Sequence, residues 1–239
     1  MLFTIGQTSG GFELFTFGNT EQHLATHVMS VGKGGWPWYV DEQAGIWFGG
    51  DDKNRKIQHF PFRGWDGAGK PIYDLQNPRQ WDWPAGFTKI ARVLYRPDTD
   101  TLFISGYTQD LPMASWGLIG SIMVRYDHWS TNQRIEKWRT QELPRDDERL
   151  HPKSIDLAGD YLFTVTTRKY RGKDACVLVW DQATGQVVGA MYPSPNVGGQ
   201  SGWVDISHGI QAYKRENGQY MVIVEEDARA KNLLYLWKP

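Results

Sequence analysis

Thr101-Leu102-Phe103-Ile104-Ser105-Gly106 is the stretch on which the reading of this chain turns, because it recurs. Leu2-Phe3-Thr4-Ile5-Gly6 and Leu162-Phe163-Thr164-Val165-Thr166 are near copies, and Ile46-Trp47-Phe48-Gly49-Gly50 and Met221-Val222-Ile223-Val224-Glu225 are looser ones. Placed in register, the copies are separated by 44, 56, 60 and 59 residues. Regular spacing on this scale is the mark of one supersecondary unit repeated along a chain.

A second apolar string follows each copy. These are Phe12–Phe17, Lys56–Phe60, Ile122–Asp127, Val177–Asp181 and Asn232–Trp237. Each is short, rich in aromatic and β-branched residues, and bounded by turn residues, so each reads as a strand. The apolar runs lack clean alternation, which suggests strands covered on both faces. Central strands repeated five times and covered on both sides are what stacked propeller blades require. The expected fold is therefore all-β: a β-propeller of about five antiparallel blades in one domain spanning 1–239. Its units lie at about 1–31, 35–74, 88–143, 153–192 and 205–237.

The first unit is expected to have strands at 1–6, 12–17 and 24–31, and so lacks its innermost strand. The last lacks its outermost. These deficits fall on different blades and do not complete one blade between them. Two arrangements stay open: part of a larger ring of roughly six to eight blades, or a five-unit ring with imperfect first and last blades. An open array would expose sheet faces and edges and self-associate. In the second unit the closing strand is expected at Pro71-Ile72-Tyr73, after a turn through Gly64, Gly67 and Gly69. Thr20–His27 is the only segment with a helical-turn reading.

Composition narrows the function. Twenty-six basic and 27 acidic residues give a formal charge of −1, so there is no field of one sign to hold a nucleic acid backbone. The single cysteine, Cys176, excludes an internal disulfide or a zinc cluster. It falls in a predicted central strand, where a buried inert thiol is expected. There is no apolar run of about 18 residues to span a membrane, and the first residues lack the pattern of a signal peptide. Twelve tryptophans are unusual; some are expected to cement blades, and a binding surface can also use them.

The Tyr126-Asp127 and Trp180-Asp181 endings, with the hairpin Asp181-Gln182-Ala183-Thr184-Gly185-Gln186-Val187-Val188, resemble propeller repeats of the WD, quinoprotein-like and NHL-like kinds. No Gly-His pair opens the blades, as WD repeats would have, and the regular tryptophan docking motif of the quinoprotein-like repeats is missing. The stretch from Val197 to Trp237, with Gly202-Trp203-Val204-Asp205 and Val224-Glu225-Glu226-Asp227, is similar to uncharacterised bacterial secreted propeller proteins. That resemblance implies a fold and an extracellular or periplasmic setting, and no chemistry.

In a propeller, loops entering a blade share one end of the ring with loops joining its second and third strands. On this assignment that end collects Trp36, Trp38, Trp81, Trp83, Trp116 and Trp203 beside Asp51, Asp52, Arg168, Glu225 and Asp227. The other end holds plain turns such as Pro97-Asp98-Thr99-Asp100 and Glu216-Asn217-Gly218. Tryptophan plates beside carboxylates and arginine suit a sugar, offering an apolar face for C–H groups and bidentate partners for hydroxyls. The competing reading is that the tryptophans wedge between blades and the charges are solvated.

Asp51-Asp52 and Glu225-Glu226-Asp227 fall at equivalent places in different blades. They would supply oxygen ligands to Ca²⁺, an acid/base pair, or solvated acidic loops. His208, expected just before the last unit's first strand, and His151, expected in an entering loop, are candidate bases. His59 is expected to be packed. No metal-binding, phosphate-binding or nucleophile-elbow motif occurs, so no cofactor beyond Ca²⁺ is implied. Three functions follow. The first is a module binding a glycan or other small polar ligand. The second is a propeller polysaccharide lyase or glycoside hydrolase, with His208, Arg168 or Glu225 as catalytic candidates. The third is a protein-interaction scaffold.

Overall fold

A computed structural model describes residues 2–8, 11–17, 25–31, 38–41, 44–50, 53–108, 121–131, 133–140, 151–167, 176–192, 196–197, 200–201, 207–226 and 231–239. The described residues are all-β, in two compact units, 1–84 and 85–239.

The first unit opens with β1 (Leu2–Thr8), β2 (Gly11–Phe17) and β3 (Ala25–Val31), an antiparallel three-stranded meander. The helical turn expected over Thr20–His27 is not formed where it is described: Ala25, Thr26 and His27 pair with Phe17, Thr16 and Phe15. Residues 20–24 lie outside the described ones. A second sheet follows, from β4 (Trp38–Asp41), β5 (Gly45–Phe48) and β6 (Lys56–Phe60). Next come β7 (Phe62–Trp65) and β8 (Pro71–Tyr73), and then β9 (Arg79–Asp82).

The expected closing strand at 71–73 is corrected here. β8 pairs with β7 in a separate hairpin, and the outer place beside β6 goes to β9. The reason is burial. Tyr73 turns inward to join Ile46, Phe48 and Phe60 in a core cluster. That leaves β6 open to the later segment, where Trp81 pairs with Ile57.

The second unit contains β10 (Lys89–Arg96), β11 (Thr101–Tyr107), β12 (Ser121–Asp127) and β13 (Ile135–Arg139), paired in chain order. β14 (His151–Ala158), β15 (Tyr161–Thr167), β16 (Cys176–Asp181) and β17 (Val187–Met191) repeat the pattern. A short hairpin, β18 (Asn196–Val197) with β19 (Gln200–Ser201), precedes a three-stranded meander of β20 (Ser207–Lys214), β21 (Tyr220–Glu226) and β22 (Lys231–Trp237). These are propeller blades. Each is an antiparallel meander, and successive ones pack face to face.

Burial follows strand position. Every residue of β11 is buried, as the unbroken apolar pattern requires of a strand covered on both faces, whereas β13 is mostly exposed. Phe163, Val165, Val177, Val179 and Met191 of one blade share a cluster with Ile210, Tyr220, Val222, Val224 and Leu233 of the next. Each such side chain contributes about 1.5–3 kcal/mol of burial. Cys176 is buried within this blade, as expected.

Polar groups join blades at the turn end. Gln182 donates through Nε2 to the carbonyls of Gly159 and Tyr161, at 2.9 and 3.0 Å. Its own carbonyl accepts from Arg125 Nη1 and Trp138 Nε1 of the preceding blade, at 2.8 and 2.9 Å. The expected plain turns are confirmed. Asp100 holds a left-handed φ of 49°, and its carboxylate accepts from the Tyr95 hydroxyl and from the Ser130 amide and hydroxyl.

Candidate functional site

Two places bring chemistry together, one in each unit. The first is the corner where β5 leaves for β6. Gly50 has φ of 88°, and a Cβ there would lie 2.5 Å from the Lys56 carbonyl and 2.7 Å from Trp83 Nε1. Only glycine lets the chain turn against the indole in this way. Trp83 is pinned by two bonds. Its Nε1 donates to the Gly49 carbonyl at 2.6 Å, and its backbone amide donates to the Arg55 carbonyl at 3.1 Å. The Arg55 guanidinium then lies 4.8 Å over the half-buried indole ring. Beside it Lys56 Nζ meets Asp82 Oδ1 at 2.5 Å, an exposed ion pair that adds little stability but fixes two charges at the surface. Lys53 and Asn54 complete an exposed polar rim.

Below this corner the rings stack. Trp81 lies on Trp47 at 5.5 Å and 7°, and Trp47 on His59 at 4.3 Å and 15°. Trp47 Nε1 donates to the Ala44 carbonyl at 2.7 Å, and His59 Nε2 reaches the same oxygen at 2.8 Å. Burial drives the His59 imidazole down to about 4. The Ala44 carbonyl works against that, and the charge of Arg79 adds to it. His59 is therefore neutral at pH 7 and packed against Trp47, as expected.

The second place is on the first strands of the three blades in the second unit. Asp156 Oδ2 on β14 accepts from the Ala212 amide on β20, at 2.7 Å. Burial pushes the Asp156 carboxyl up to about 6, against the Ala212 amide, the charge of Arg92 on β10 and the Leu157 amide. The proton is therefore held more tightly there than on a solvated carboxyl.

The residues named from sequence separate into three groups. Trp36, Asp51, Asp52, Trp116, Arg168, Trp203 and Asp227 lie outside the described residues. Several others sit in strands rather than loops. Trp81 belongs to β9, the outer strand of its own sheet, rather than to a loop entering the next. Trp38 opens β4 opposite Phe48. His151 pairs with Thr167 in β14, and His208 lies within β20 at a register shift between Ser207 and Gly209. Glu225 is an exposed residue of β21 whose Oε2 lies over Gly209. Only Trp83 remains at a corner, joined by Arg55, Lys56 and Asp82. Among the described residues no group of three or more His, Cys, Asp or Glu side chains is placed to hold a metal ion.

Sequence reasoning missed Asp156. Its signal was present: an acid between Ile155 and Leu157, in a segment whose residues 154–158 are buried or half-buried.

No family model matches this chain, and no curated protein matches it. Among solved structures it is similar to PorZ, described as an essential bacterial surface component of the type-IX secretion system of Porphyromonas gingivalis. Identity is 9%, and the TM-score is 0.19, over 98% of this chain and 35% of that one. The chain thus spans about a third of that structure's length. A superposition this loose transfers nothing.

Proposed function

We propose that this chain is a ligand-binding β-propeller module that takes a glycan or similar hydroxyl-rich polar ligand at the β5–β6 corner. The observation that carries this is the Arg55 guanidinium held over a half-buried Trp83 ring, beside the exposed Lys56–Asp82 pair. The indole backs the exposed Arg55 guanidinium and fixes its plane. The cations and the carboxylate offer charged donors and acceptors for hydroxyls. Asp51 and Asp52, next along the chain and outside the described residues, are the proposed Ca²⁺ ligands if the ligand needs the ion.

The test is a glycan array followed by calorimetry on the best binder. Arg55→Ala and Asp82→Asn should each weaken binding roughly tenfold, about 1.4 kcal/mol, with circular dichroism unchanged. Unchanged binding in both variants would remove this corner as the site.

A second reading has its own observation. Asp156, with a carboxyl near 6, would serve a propeller lyase or hydrolase as the proton carrier, in place of His208, Arg168 or Glu225. Turnover of a bound polysaccharide that disappears in Asp156→Asn would establish that reading. Binding without turnover would leave the module reading alone.

A further inference from the structure

The last blade has two unlike faces. One is buried against β14–β17 through Tyr220, Val222, Val224 and Leu233. The other holds Tyr213 at 60% exposure, Ile223 at 39%, Leu234 at 60% and Leu236 at 55%. Strand register makes these contiguous. Ile223 pairs with Leu234, and half-buried Met221 lies between Tyr213 and Leu236. A strand with one wet face alternates apolar and polar residues, but β22 reads Leu233-Leu234-Tyr235-Leu236 without a break. The pattern is that of a strand built for cover on both faces. The open patch is on the order of 400 Å², the size of the largest apolar patch on a typical monomer, which is often functional.

Charge at the rim says what covers it. Exposed Glu225 stands at one end of this face, and exposed Arg215 and Lys238 at the turn end opposite. A second copy of the same face, related by a two-fold axis running across the strands between the sheets, lays apolar centre on apolar centre. Each Glu225 then falls at the Arg215–Lys238 end of the other copy. The face is complementary to itself, which is the condition for an isologous dimer.

We infer that the open face of β20–β22 is a homodimer interface, with two chains packing this sheet face to face and antiparallel. Three strands of this length bury on the order of 1,000 Å² in total, below the roughly 1,200 Å² of a standard interface. The dimer is accordingly expected to be weak, with dissociation inside the concentration range below. The inference uses none of the residues of the ligand corner and stands apart from that reading.

The experiment is sedimentation velocity of the whole chain from about 1 to 200 µM. Wild type should move from the 27.4 kDa monomer toward twice that mass, and no further. Leu234→Glu and Glu225→Lys should each raise the dissociation constant about tenfold or more, with circular dichroism unchanged. The triple exchange Glu225→Lys, Arg215→Glu, Lys238→Glu should bring it back within about threefold of wild type, because both copies carry the swap. A wild type monomeric throughout would overturn the inference. So would open-ended growth beyond a dimer, a Leu234→Glu that dimerises as wild type does, or a triple exchange that stays monomeric.

Discussion

Trp83 and Trp138 make the same bond and do different work. Each stands on or just after the outer strand of its sheet, and each donates its indole N–H to a backbone carbonyl, Gly49 at 2.6 Å and Gln182 at 2.9 Å. Trp138 reaches across to the next blade. Its ring lies under Gly185, where a Cβ would come within 2.5 Å, and near Phe103 at 6.0 Å. Trp83 reaches back to its own sheet and spends its ring face on Arg55. One tryptophan cements blades, and the other is a plate held at an edge. For these two tryptophans the landing point of the N–H bond marks the difference.

The sharpest way to break that contrast is to truncate both. Trp138→Ala deletes the bond, the contact with Gly185 and the neighbour of Phe103, and should cost about 3–5 kcal/mol. For a chain of this length that lowers Tm by roughly 6–20 °C. Trp83→Ala loses a similar bond but less packing and should cost about half as much. Differential scanning calorimetry decides; equal losses would mean that Trp83 is cement as well.

Gly185 sharpens the same point more locally. Its φ is 69°, and Trp138 fills the space where a side chain would go. Gly218 has φ of 79° with nothing within 4 Å. Both pay for a left-handed backbone when mutated, and only one also meets a ring. Gly185→Ala should cost about 2–3 kcal/mol and Gly218→Ala about 1 kcal/mol in urea unfolding. Equal costs would show that the Trp138 ring moves freely.

What the sequence made legible follows from locality. The recurring strings around Phe103 and Phe163 mark second strands because such strands are apolar on both faces, and that needs no partner to be recognised. Turns at Asp100, Gly159 and Gly218 were readable because positive φ restricts residue type. The pairing of β9 with β6 was not. Two competing segments, 71–73 and 79–82, offered similar strand character, and the choice depended on Tyr73 joining a core formed by residues far back in the chain. That error moved Trp81 from a strand to a loop. Asp156 escaped for a related reason. A lone acid in a strand looks solvated until the Ala212 amide of the next blade is brought to it.

Asp156 carries the contrast between cement and site into pH. Its carboxyl is raised to about 6 in the folded chain, against about 3.9 when unfolded. The proton is thus held more tightly by the folded state. Its stabilising effect is full below about pH 4 and is lost as pH rises through 6. Wild type should therefore lose about 1–3 kcal/mol between pH 4 and 7 from this group. Asp156→Asn keeps an acceptor for the Ala212 amide without a charge to bury, and should flatten that slope and raise stability at pH 7 by about 1–2 kcal/mol. Chemical denaturation at pH 4, 5, 6 and 7 gives the answer. A slope unchanged in the variant would mean that the carboxyl is solvated.

The smallest effect on stability is expected where the ligand reading is strongest, at Arg55, one of four arginines that lie over aromatic rings among the described residues. Arg125 sits 5.9 Å from the Phe103 ring, but it also donates to Asp127 at 2.8 Å and to the Gln182 carbonyl of the next blade. Its removal leaves a half-buried carboxylate and a carbonyl short of donors, for about 1–2 kcal/mol. Arg55 is exposed, and its stacking on Trp83 is worth about 0.5–1 kcal/mol at most. Arg55→Ala should thus shift Tm by no more than about 1–4 °C, less than Arg125→Ala does, while it alone weakens glycan binding. On the binding proposal, that small effect on the fold goes with a large effect on the ligand. An Arg55→Ala protein as destabilised as Arg125→Ala would turn that around and make the corner one more joint of the scaffold.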